Sequence, residues 1–109
     1  MQNVYDLAHE MARSLKETDQ YKDFKRLKDQ IDANPQLKKM IDDFTAKNME
    51  VQTALMTGTQ PDEETMKTVQ SMYQIVLQDP TCAAFLNAEM SFSQIINDIY
   101  KILGEAIDG

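Results

Sequence analysis

The chain offers few residues for catalysis. A nucleophile needs a base within reach, and the 109 residues include one histidine, His9, and one cysteine, Cys82. His9 falls off the apolar stripe of its segment and reads as a surface residue. Cys82 follows Asp79 by three positions, near a helix start, where a thiol pKa can fall. It also takes the place that Leu37 takes in a related segment, and that reads as core. The carboxylate pairs Asp42-Asp43 and Glu63-Glu64 are sequence neighbours. Adjacent helical residues point in different directions, so neither pair can share a substrate. Gly58, Gly104 and Gly109 are isolated and make no phosphate loop. A lone cysteine excludes an intrachain disulfide and a cysteine-rich metal site. The expectation is therefore no enzyme, no cofactor and no metal.

Lys22, Lys25, Arg26 and Lys28 form one basic cluster. Lys22, Lys25 and Arg26 could touch RNA, the alternative reading of the chain. Against it, Asp19 with Lys22, Asp23 with Arg26, Lys25 with Asp29 and Lys28 with Asp32 are spaced for pairing within a helix. The net charge of −7 also argues against general nucleic-acid binding. Charge is uneven: Arg13 to Lys39 holds eight basic and five acidic residues, Met40 to Gly109 three basic and eleven acidic.

The elements that hold these residues are helical. Asn34-Pro35 and Asp79-Pro80 each place a capping side chain before a proline at the first helical position. After each cap, apolar residues arrive at helical spacing: Leu37, Met40 and Ile41, then Cys82, Phe85 and Leu86. Val4, Leu7, Ala8, Met11, Ala12 and Leu15 predict a first helix from about Asn3 to Glu17. Thr18 caps a second, with Tyr21, Phe24, Leu27 and Ile31 inward, that stops near Asn34. The third carries Leu37, Ile41, Phe44, Asn48, Val51 and Leu55 at coiled-coil spacing, with Asn48 a polar residue in an apolar seam. Thr57-Gly58 ends it. Thr59 or Asp62 caps a fourth, with Met66, Val69, Tyr73 and Val76 in its stripe, which ends before Asp79.

The fifth helix has two apolar seams. One runs through Phe85, Ala88, Phe92, Ile95, Ile99, Ile102 and Ala106, the other through Leu86, Met90, Ile96, Tyr100, Leu103 and Ile107. One chain of this size can hardly cover both, so the expected architecture is all-α: about five helices in an elongated bundle that oligomerises through its C-terminal helices. The expected interface is Phe92, Ile95, Ile96, Ile99, Tyr100, Ile102 and Leu103. Three glycines and three prolines suit long helices with short connections, and residues 1–109 read as one domain. No stretch approaches the roughly 18 apolar residues of a membrane span, and Met1 to Asp6 lacks the features of a leader, so the expected location is cytoplasmic. Eight methionines suit an adaptable interface.

The helix order, the restart at Asp79-Pro80 and above all Phe85-Leu86-Asn87-Ala88-Glu89 resemble the YlbF/YmcA/YheA family of small helical bacterial proteins, and this short, acidic chain is most similar to the YheA branch. The resemblance implies a cytoplasmic, oligomeric protein of Gram-positive bacteria without a known catalytic site. In the better-known branches YlbF and YmcA join YaaT in a complex that affects ribonuclease Y-dependent RNA processing, competence, sporulation and biofilm formation. Some of those proteins carry iron–sulfur clusters on cysteines; this chain has only Cys82. The expected function is a non-enzymatic interaction protein that pairs with itself, as a homodimer or higher oligomer, and with another protein of a regulatory or RNA-processing complex.

Overall fold

Each helix starts where a short polar side chain satisfies the first free N–H groups. The computed structural model describes residues 3–108. These form α1 (Val4–Glu17), α2 (Asp19–Asp32), α3 (Pro35–Met56), α4 (Glu63–Gln78) and α5 (Pro80–Asp108), with no strand among the described residues. Asn3 Oδ1 accepts the Asp6 N–H at 2.8 Å, Asn34 Oδ1 accepts those of Gln36 and Leu37, and Asp79 Oδ1 accepts that of Cys82 at 2.9 Å. Thr18 serves two helices: its hydroxyl donates to the Leu15 carbonyl at the end of α1 and accepts the Tyr21 N–H at the start of α2. Each such cap is worth about 1 kcal/mol.

The choice between Thr59 and Asp62 is settled by the preceding turn. Gly58 has φ +78°. Its N–H reaches the Leu55 carbonyl, and the Thr59 N–H reaches that of Ala54 at 2.8 Å. This double bond pattern closes α3 around a left-handed residue and commits Thr59 to the end of α3. Asp62 caps α4 instead, accepting the Glu64 N–H.

The described chain divides into two compact units, residues 3–28 with 85–108 and residues 29–84. The first is built on an aromatic cluster. Phe24 stacks on Phe85 and Phe92 at 5.7 and 5.6 Å, and Tyr21 meets Phe92 edge-on at 5.5 Å. Tyr21 therefore lies at the level of Phe92 while Phe24 reaches back to Phe85, so α2 runs antiparallel to α5. Leu27, Phe85 and Ala88 are buried. The second unit is centred on the α3–α4 hairpin, where Phe44 meets Tyr73 at 5.7 Å and Ile41, Val51 and Val76 are buried. Lys38 with Asp42, Lys39 with Asp43, and Lys67 with Glu63 form i,i+4 pairs on the solvent face.

Burial follows the sequence stripes closely on α2 and less closely on α3 and α4. Leu55, Met66 and Tyr73, all on expected seams, are exposed. Leu55 lies in the last turn before the hairpin opens. Tyr73 rests one face on Phe44 while the rest of its ring meets water, an arrangement that suits an amphipathic side chain.

Candidate interaction surface

The fifth helix carries its apolar character to the end, but burial does not follow. Phe92, Ile95, Ile96 and Ile99 are half-buried, with Phe92 held between Tyr21 and Phe24. Beyond them Tyr100, Ile102 and Leu103 are 67%, 64% and 47% exposed. The seven expected interface residues thus split in two: four partly inside their own unit, three facing water. Three large apolar groups within four positions are costly to leave solvated, each being worth about 1.5–3 kcal/mol on full burial.

A second apolar face lies on α1, along the stripe Val4, Leu7, Ala8, Met11, Ala12 and Leu15 that its spacing predicts. No residue of α1 is buried, Met11 and Leu15 are half-buried, and Val4, Tyr5 and Leu7 are exposed. The spacing that reads as an inward stripe describes an outward one equally well, so no sequence signal separates the two.

In the second unit, Met40, Asp43, Met72, Ile75 and Val76 line a notch of about 180 Å³ between α3 and α4. Asp43 at its rim accepts a hydrogen bond from Lys39 at 2.7 Å. Met49 and Met56 stand exposed along α3.

The remaining candidates are dispersed. Lys22, Lys25 and Arg26 are exposed on α2, but Arg26 lies 3.9 Å from Asp23 and Lys25 has a partner of its own. His9 is exposed on α1. Asn48 is half-buried within the α3 seam. Cys82 is fully buried, and desolvation, reinforced by the Asp79 carboxylate, pushes its thiol up to about 11. The thiol that a helix start could have activated is held protonated instead, by burial first and by the anionic cap second. Desolvation also raises the Glu89 carboxyl above its ordinary value. Among the described residues no group of three or more His, Cys, Asp or Glu side chains is placed to hold a metal ion, and no helix is long and apolar enough to cross a membrane.

What the molecule presents is apolar surface on helices, and known proteins share its fold. The family model described as control of the competence regulator ComK, YlbF/YmcA, matches residues 4–108. The chain belongs to the YlbF/YmcA family. A relative from Caldicellulosiruptor saccharolyticus, called a UPF0342 protein, is 37% identical over 99% of this chain and 90% of its own length. A protein of unknown function (DUF964) from Bacillus stearothermophilus has the same fold, with a TM-score of 0.80 at 13% identity over 98% of this chain and 94% of that one. Bacillus subtilis RicA, solved in complex with RicF, is also similar, with a TM-score of 0.61 at 14% identity over 96% of this chain and 93% of that one. The YlbF/YmcA family is thus linked to control of competence, and a structural neighbour of this chain has a protein partner.

Proposed function

We propose that this protein is a non-enzymatic regulator that works by helix-mediated contact: it associates with itself through α5 and engages another protein of a regulatory or RNA-processing complex. The observation that carries the reading is the exposure of Tyr100, Ile102 and Leu103 on a 29-residue helix. A second copy gives this face a partner, since one patch repeated on two chains can be self-complementary about a two-fold axis. Membership of a family linked to competence control supports a regulatory role, and the RicA–RicF complex supports a protein as the other partner.

Co-purification from the native cell tests the role. The expected result is a second protein recovered in stoichiometric amount, lost when Ile102 and Leu103 are both changed to Glu if that partner binds the paired form. Recovery of this chain alone across several growth states contradicts a regulatory contact.

A further inference from the structure

Gly104 lies inside α5, which continues to Asp108. A glycine within a helix weakens it relative to alanine, and packing in the chain does not call for one here, since a Cβ at Gly104 would meet nothing within 4 Å. The bare backbone opens a shallow hollow of about 480 Å³ lined by Lys101, Gly104, Glu105 and Asp108. Glycine is the residue that lets another backbone approach closely.

The side chains around Gly104 form a self-complementary set. At about 100° per residue, Tyr100 and Ile107 stand about 40° and 60° to one side of Gly104, while Lys101 and Asp108 stand about 60° and 40° to the other. Tyr100 and Ile107 are 67% and 84% exposed, and Lys101 and Asp108 are exposed as well. Leu103 flanks the apolar side, whereas Ile102 lies outside this face. One side of the glycine is thus apolar both above and below it, and the other carries a cation below and an anion above.

A second copy of α5 fits this face in one direction. Run antiparallel, with the two-fold axis at Gly104, it sets Tyr100 of one copy against Ile107 of the other and Lys101 of one against Asp108 of the other, each contact occurring twice. A parallel copy lays the charged side of each helix on the apolar side of its mate, where Lys101 and Asp108 lose water without gaining a partner. Charges flanking a helix pair set its orientation in this way.

We propose that two copies of the chain pair by crossing their α5 helices antiparallel at Gly104, with Tyr100 on Ile107 and Lys101 beside Asp108 across the two-fold axis. The proposal rests on self-association through α5 and specifies which face of the helix meets its copy.

Gly104→Leu tests the crossing with a sign that helix propensity does not mimic. Leucine favours a helix over glycine and adds apolar surface, so at an open position it leaves the dimer unchanged or tightens it. At a close crossing two leucines force the backbones apart, and sedimentation should show the dimer dissociation constant raised at least about tenfold, with helicity by circular dichroism retained. An unmodified protein whose dimer is left intact or tightened by Gly104→Leu overturns the crossing while leaving self-association in place; an unmodified chain that sediments as a folded monomer overturns both. Cross-linking reads the direction. Chains carrying Tyr100→Cys are mixed with chains carrying Ile107→Cys, re-equilibrated and treated with a short bis-maleimide; the native Cys82 is buried and does not compete. The expected product is a covalent pair with one chain of each kind, in excess over the pair of two Tyr100→Cys chains. Absence of the mixed pair, or an excess of the Tyr100→Cys self-pair, overturns the antiparallel crossing.

Discussion

Replacing Phe85 by Ala probes the packing that holds α2 to α5. Phe85 is 6% exposed and its ring stacks on Phe24 at 5.7 Å with 24° between the planes. Truncation removes the transfer energy of nearly the whole ring and leaves a cavity, together about 3–5 kcal/mol. Of this, about 0.5–1.5 kcal/mol reflects the aromatic pair itself. Phe24 keeps Phe92 at 5.6 Å, so collapse around the site is limited and the upper part of the range applies. The companion change is Met56→Ala, at a side chain 86% exposed, which should stay within about 0.5 kcal/mol. Urea melts of the two variants and the unmodified chain, at one protein concentration because pairing adds concentration-dependent stability, should show a large fall in midpoint for Phe85→Ala at an unchanged slope. Equal midpoints for the two variants, or a Phe85→Ala loss under about 1 kcal/mol, refute the aromatic cluster as the core of the first unit.

Cys82 should react slowly with a thiol reagent in the folded protein and quickly after denaturation, since only the thiolate attacks. As pH rises past 9.0 the unfolded thiol ionises, whereas the folded one does so only near 11. The folded state holds more protons in that window, so stability should fall with rising pH between those values, and the fall should shrink in Cys82→Ala; melts that do not distinguish the two proteins there contradict the burial. Asp79→Asn keeps a capping side chain but removes its charge, so thiol labelling should quicken while helicity by circular dichroism is retained. Gly58→Ala should lower stability by about 1–2 kcal/mol from backbone strain alone, because a Cβ there meets nothing within 4 Å; an unchanged melting midpoint argues against the left-handed turn.

Much of this fold is legible in the sequence because helix ends are local events. Thr18, Asn34 and Asp79 each lie where a capping side chain precedes helical spacing, and each makes the bond that its position implies. The buried positions Leu27, Ile31, Ile41, Val51, Val76, Phe85 and Ala88 all lie on stripes evident from periodicity. Thr59 against Asp62 was undecided because both types cap equally well, and the difference lies in a backbone bond from Thr59 to Ala54 that side-chain chemistry does not announce. The division into two units is invisible for a related reason: its boundaries, between Lys28 and Asp29 and between Ala84 and Phe85, fall inside helices with no turn residue to mark them. Least legible is the candidate surface. A stripe records which residues share a face and not what covers it, so Phe92, packed on Phe24, and Ile102, open to water, look alike in the sequence.

Sedimentation of the unmodified protein addresses the central claim most directly. If the exposed end of α5 is a self-association surface, the folded chain at tens of micromolar sediments as a dimer or larger species, and changing Ile102 and Leu103 together to Glu shifts it to a folded, lighter one, because charges then stand where apolar neighbours are expected. A folded unmodified chain that sediments as a monomer at that concentration contradicts the account.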